Sequence, residues 1–255
     1  MTMSVSGKHA LVTGGGSGIG STIALALAEA GAAVTICGRR RQQLDEMAAR
    51  HENIHAEVAD VTDQTSLARL YDSAQAARGK FDIVVANAGG AQSAPAEKIS
   101  AELWSKTLNV NLTGAFFSVQ PALNGMRAKK WGRIVFIAST AGIRAAPYIA
   151  PYVAAKHGVI GLMRTLALET AKDGITVNAV CPSYTETPML EQAVARIVAT
   201  TKRSEAEARA LLAARNPQGR FITPQEVADT VLWLCTEGAA SITGQAISLS
   251  GGETW

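Results

Sequence analysis

The chain has 255 residues, 47% hydrophobic and 18% charged, with a formal net charge of +3. That composition excludes disorder, and the small, scattered basic excess excludes a nucleic-acid surface. No charged-then-apolar leader opens the chain and no apolar run is long enough to span a bilayer, so the expectation is a cytoplasmic protein rather than a secreted or membrane one.

In chain order, Ala10–Thr13 reads as a short buried strand running into Gly14-Gly15-Gly16-Ser17-Gly18-Ile19-Gly20. A helical stretch follows over Thr22–Ala30, and Gly31 stops it as a C′ glycine. Further strands are expected at Ala33–Cys37, Ile54–Asp60, Asp82–Ala86, Arg133–Ala138, Thr176–Cys181 and Ala246–Leu249. Helices are expected near Asp63–Arg78, near Ala101–Met126 and from Pro151. The central strands are continuous apolar runs, as in parallel strands covered on both faces. Alternation without a composition break predicts one doubly wound α/β domain over residues 1–255, with about seven parallel strands and helices on both faces. The segment Pro188–Pro217 interrupts the rhythm and has helical character. Its position after a strand's carboxyl end suits a substrate lid, with Leu190, Val194, Ile197 and Val198 lining a pocket and Arg196, Lys202, Arg203 and Arg209 on its rim. Cys37, Cys181 and Cys235 are expected as reduced buried thiols, and no metal site is expected.

Strand, glycine-rich turn and helix together predict a dinucleotide cradle, since glycines let backbone N–H groups reach a pyrophosphate at the helix N-terminus. The spacing Gly14-x-x-x-Gly18-x-Gly20 is wider than the usual G-x-G-x-x-G. The second strand ends where an acid would hold the adenosine ribose hydroxyls, but Arg39, Arg40 and Arg41 stand there instead. A guanidinium suits a 2′-phosphate, so NADP(H) is favoured over NAD(H), with Arg39 the first candidate; at least one of the three is expected to open a surface helix.

The chemistry is expected between Ser139 and Lys156. A helix beginning at Pro151 puts Tyr152 and Lys156 on one face, a turn apart. An ammonium beside a phenol draws the phenol's pKa down from about 10, which makes Tyr152 a general acid for carbonyl reduction or a base for alcohol oxidation. Ser139, at the end of an apolar strand, can bond the same substrate oxygen. The loop residue Arg144 is expected to point to water.

These motifs, in this order, resemble the short-chain dehydrogenase/reductase family of the compact single-domain type, with its Rossmann-type fold, along essentially the whole chain. The matching residues are Thr13-Gly14-x-x-x-Gly18-x-Gly20, Asp60-Val61, Asn87-Ala88-Gly89, Asn111 in N-V-N-L-T-G, Ser139 and Tyr152-x-x-x-Lys156. The resemblance implies that Asp60 meets the adenine, with Val61, Ala88 and Gly89 also cofactor-binding, and that Asn87 braces the central strand. It implies a water held by Asn111 that feeds protons toward Lys156, and a nicotinamide ribose gripped by Lys156. It also implies cofactor contacts from Ser17, Ile19, Asn87, Tyr152, Pro182, Thr185 and Thr187. The family's Pro-Gly appears here as Pro182-Ser183, a departure on the nicotinamide side.

Within the family, A-P-Y-V-A-A-K-H-G-V-I-G, V-N-A-V-C-P and E-T-P-M are similar to polyketide ketoreductases and 3-oxoacyl thioester reductases. The substrate implied is a ketone or secondary alcohol, CoA- or carrier-linked or free. Asp173 stands where carrier-dependent relatives often have arginine, which cuts against a carrier-protein partner, and Lys129 and Lys130 are either a basic docking edge or an ordinary solvated helix end. The small-residue-rich stretch Pro151–Thr170 and Phe116-Phe117 suggest faces covered by other subunits, and the resemblance implies a homotetramer. Two alternatives stand beside this reading: an NAD-linked alcohol or hydroxyacid dehydrogenase, and a nucleotide-binding protein without turnover.

Overall fold

The seven expected strands form in order: β1 (His9–Thr13), β2 (Ala33–Gly38), β3 (Ile54–Val58), β4 (Ile83–Ala86), β5 (Gly132–Ile137), β6 (Ile175–Pro182) and β7 (Ala246–Leu249). The structure is a computed structural model that describes residues 3–254. The strands pair in parallel into one sheet in the order β3-β2-β1-β4-β5-β6-β7. The order reverses between β1 and β4, which opens a crevice at their carboxyl ends, where doubly wound sheets bind ligands.

Among the described residues there are ten α-helices: α1 (Gly18–Glu29), α2 (Arg41–Ala48), α3 (Gln64–Arg78), α4 (Ala101–Leu108), α5 (Gly114–Val119), α6 (Leu123–Lys129), α7 (Ala150–Thr170), α8 (Pro188–Thr200), α9 (Glu205–Ala213) and α10 (Pro224–Cys235). One core layer joins Ile23, Leu27 and Leu44 to Val227 and Val231; the other joins Leu70, Tyr71 and Val119 to Val159 and Met163. Every residue of β1, β4, β5 and β6 is buried, as the unbroken apolar runs foretold. Gly31 closes α1 at φ 94°, its N–H donating to Ala28 O at 3.0 Å and that of Ala32 to Leu27 O at 3.0 Å, the paired bonds of a Schellman motif.

The long helix expected near Ala101–Met126 is broken. A π-helical turn over Asn109–Thr113 separates α4 from α5, and a 3₁₀ turn over Gln120–Ala122 separates α5 from α6. Pro121 has no N–H to give to a continuous helix, which accounts for the second break. Helix α10 lies outside the expected elements, although its Thr223–Glu226 capping box is a local signal. Among the described residues no helix is long and apolar enough to cross a membrane, and no group of three or more His, Cys, Asp or Glu could hold a metal ion.

Candidate active site

The glycine-rich turn after β1 fits a pyrophosphate. Gly14 and Gly18 take φ 66° and 56°, the left-handed region that favours glycine. At Gly20 a Cβ would stand 2.5 Å from Asn87 Nδ2, so only glycine lets α1 approach β4 this closely. Asn87 Nδ2 donates to Thr13 O at 2.8 Å, while Thr13 Oγ1 accepts from the N–H groups of Asn87 and Ala88, both at 3.0 Å. These bonds lock β1 to β4 across the crevice. Ser17 occupies the N-cap of α1 without a side-chain cap bond, so its hydroxyl does not fill the first turn's anion-binding N–H groups. Ile19 lies in that first turn and packs against the core.

Beside the turn, the Asp60 carboxylate accepts from Thr62 N at 2.9 Å and Thr62 Oγ1 at 2.8 Å. Partial burial works to raise its pKa, but the Thr62 bonds and the Arg39 charge outweigh burial and hold it below the usual carboxylate range. Val61 is buried against Gly114. The three arginines separate: Arg39 faces Asp60, Arg40 reaches Ser17 Oγ at 3.4 Å, and Arg41 opens α2 and pairs with Asp45 at 3.5 Å. The guanidinium hydrogen-bonded to the glycine turn is therefore that of Arg40, which sequence reasoning had ranked behind Arg39.

Across the crevice, β5 delivers Ser139 and α7 delivers Tyr152 and Lys156. The helix begins one residue before the expected Pro151, with proline in its first turn. Lys156 is 4% exposed and donates to Ile137 O at 2.7 Å; its Nζ lies 5.5 Å from the Tyr152 ring centroid. Burial pushes the lysine down from 10.5 to about 8. The expected depression of the Tyr152 phenol does not occur: burial pushes it up to about 12, and the Ser139 hydroxyl beside it offsets only part of that rise. The reason is that desolvation of the phenolate is the largest influence on the phenol. Ser139 Oγ also accepts from Ala141 N at 3.1 Å.

Asn111 sits in the π turn. Its Oδ1 accepts from Gly90 N at 3.1 Å, and its Nδ2 donates to Gly90 O and Thr107 O, both at 2.9 Å. Gly89 is pressed against it, since a Cβ there would stand 2.7 Å from Asn111 Oδ1. Both Nδ2 hydrogens are thus used, which leaves the second lone pair of Oδ1 and the backbone to hold a water. After β6, Pro182 ends the strand, Thr185 Oγ1 donates to Ser183 O at 3.0 Å, and Thr187 Oγ1 donates to Thr185 O at 3.1 Å. Thr187 lies against the glycine turn, its Cγ2 3.5 Å from where a Gly18 Cβ would be. Ser183 is not among the residues with positive φ, so the departure from glycine carries no backbone strain.

Four expectations need correction. The stripe Leu190, Val194, Ile197 does not line an open pocket: Leu190 and Val194 are buried against Ala208 and Leu212, with Ile197 packed alongside, and Val198 is exposed. Arg209 is no rim cation, because it pairs with Glu191 at 2.7 Å and Glu205 at 3.5 Å. The basic docking edge is neutralised at home: Lys129 pairs with Asp82 at 2.6 Å, and Lys130 and Arg127 pair with Asp173 at 2.7 and 3.2 Å. Arg144 was expected to face water, yet it binds the C-terminal turn through Glu253, a residue without any sequence signal.

A family model described as short chain dehydrogenase matches residues 8–197. The chain is 41% identical over 250 residues to a Streptomyces violaceoruber protein named for ketoacyl reduction in the granaticin polyketide synthase, covering 95% of this chain and 92% of that one. It is 37% identical over 254 residues to D-beta-hydroxybutyrate dehydrogenase of Rhizobium meliloti, covering 97% and 98%. Among solved structures, actinorhodin polyketide ketoreductase with NADPH superposes with a TM-score of 0.93 at 37% identity, covering 96% of this chain and 97% of that one. The glycine cradle between β1 and β4, the Ser139, Tyr152 and Lys156 group on β5 and α7, and these matches lead to one conclusion: the chain belongs to the short-chain dehydrogenase family.

Proposed function

We propose that the chain reduces a ketone, free or as a 3-oxoacyl thioester, with NADP(H). The observation that carries this reading is the grouping of Ser139, just past the end of β5, with Tyr152 and the buried Lys156 a turn apart on α7, the Lys156 Nζ 5.5 Å from the Tyr152 ring centroid. A phenol is protonated at neutral pH and so can serve as the acid that reduction needs. The reduced nicotinamide supplies the hydride when bound. Tyr152 gives its proton to the oxygen that becomes the alcohol, and the Ser139 hydroxyl orients that oxygen. The Lys156 ammonium stabilises the phenolate left behind and holds the nicotinamide ribose. A water at Asn111 returns the proton through Lys156.

Gly14, Ser17, Gly18, Ile19 and Gly20 would hold the cofactor's pyrophosphate. Arg39 and Arg40 take the 2′-phosphate, and Asp60 and Val61 meet the adenine. Asn87, Ala88 and Gly89 wall the crevice; Pro182, Thr185 and Thr187 meet the nicotinamide side. Helices α8 and α9 form the lid, and α7, with Leu168 83% exposed, is an outer face covered by further copies in a tetramer. The ketoacyl reductase and ketoreductase relatives support a keto substrate; the hydroxybutyrate dehydrogenase relative supports the oxidative alternative with NAD.

The test is turnover with NADPH, NADH, NADP⁺ and NAD⁺ on acyl-CoA, carrier-bound and simple ketones and their alcohols. Preferred reduction with NADPH supports the proposal, and preferred oxidation of a hydroxy acid with NAD⁺ overturns it. Arg40→Ala and Arg39→Asp should each lower the NADPH over NADH preference, by about tenfold for a lost charge-assisted bond.

A further inference from the structure

Beyond the carboxyl ends of β6 and β7, three distant segments meet at one carboxylate that the mechanism above leaves unused. Glu253, in the turn after β7, has a side chain only 5% exposed. Its Oε2 accepts from Ser183 Oγ at 2.5 Å. The Arg144 guanidinium donates to Glu253 O at 3.3 Å and stands 3.8 Å from Oε1. The turn is itself fixed, with Glu253 N donating to Ser250 O at 3.1 Å and Thr254 N to Ser250 Oγ at 3.2 Å. Ser183 is held to the same segment by its own N–H, which donates to Leu249 O at 2.9 Å. A buried carboxylate persists only where partners replace its water.

Each partner leads into the site. From Ser183 the hydrogen bonds continue through Thr185 to Thr187, which rests against Gly18 and opens α8. Arg144 belongs to the segment joining Ser139 to Tyr152, and its N–H donates to Thr140 O at 2.9 Å. We propose that Glu253 is a positioning residue that couples the nicotinamide-side loop to the catalytic loop. The C-terminal turn thereby sets the spacing between the bound dinucleotide and Tyr152. Glycine, the family's residue at position 183, could not make this bond, so the linkage distinguishes this chain from the family pattern. The inference rests on the proposed dinucleotide site.

The experiment is fluorescence titration with NADPH, alongside melting temperatures, for wild type, Ser183→Gly, Glu253→Ala, the double variant and Glu253→Gln. Loss of a bond to a buried charge should raise the Kd for NADPH about tenfold in each of the first two variants. The double variant should be no worse than the weaker-binding single, because both remove one linkage. Glu253→Gln keeps an acceptor for Ser183 and should recover most of the binding. Unchanged Kd in Ser183→Gly and Glu253→Ala, fully additive losses, or lowered melting temperatures with wild-type Kd would overturn the coupling. A wild type that binds NADH in place of NADPH corrects only the cofactor, and the same comparison is then read with NADH. A wild type that binds neither overturns the dinucleotide reading and the linkage with it.

Discussion

Helix α7 and the pair α8–α9 both start at the carboxyl edge of the sheet, yet they are held by different means. Helix α7 buries Val159, Ile160, Met163, Leu166 and Ala167 in the layer that also contains Phe81 and Phe136, and Gly142 lets the Ser139 loop approach the backbone of Lys156. Helices α8 and α9 have a separate cluster of four buried residues, Leu190, Val194, Ala208 and Leu212, reinforced by the exposed Arg209–Glu191 pair. The first element can move only if the domain opens; the second can open at the cost of its own small cluster. On the proposed reading, proton transfer belongs to the rigid element and substrate admission to the separable one.

The sharpest break is on the rigid side. Tyr152→Phe should lower turnover by about 10²-fold or more while leaving NADPH affinity unchanged, since only a proton donor is removed. Near-full activity would hand the proton to another group, with Tyr148, 65% exposed in the same loop, the first to examine.

Next in size is the pH profile of reduction. Burial places Lys156 near 8, so above that pH its ammonium is lost and with it the stabilisation of the Tyr152 phenolate. The value of kcat/KM for the ketone should be level below pH about 8 and fall roughly tenfold per unit above it. A rate that stays level to pH 10 would mean that Lys156 does not titrate in the step.

Paired truncations then test the comparison itself. Buried Met or Leu to Ala changes typically cost about 2–5 kcal/mol. In Met163→Ala that loss should appear as a melting temperature several degrees lower, whereas in Leu190→Ala it should be spent in local opening. Leu190→Ala should therefore raise KM for the ketone several-fold and speed proteolysis between α8 and α9, with the melting temperature nearly kept. Equal drops in melting temperature would show that the helix pair unfolds with the domain.

The smallest effect belongs to Arg209→Ala, which removes a largely exposed ion pair and should change stability by less than about 1 kcal/mol. A larger loss would make the pair, rather than the buried cluster, the fastening of the lid.

Much was legible from local pattern alone: the central strands as apolar runs, the Gly14–Gly20 turn between strand and helix, the stop at Gly31, and the Tyr152 to Lys156 spacing on a helix opened by proline. Each depends on residues within a turn or two of one another, where propensity, capping and periodicity act directly. Tertiary structure decided the rest. Asn111 is held in a π turn by Gly90, 21 residues away in sequence. The Tyr152 pKa rises because the folded chain removes water from around the phenol, an effect that a spacing of four residues cannot report. Arg40 rather than Arg39 reaches Ser17 because of how β2 enters α2. The apolar stripe of α8 turns away from the crevice because α9 offers it a partner surface. Glu253 meets Ser183 across 70 residues of sequence, because parallel pairing sets the ends of β6 and β7 side by side and burial then requires each polar group to find a partner.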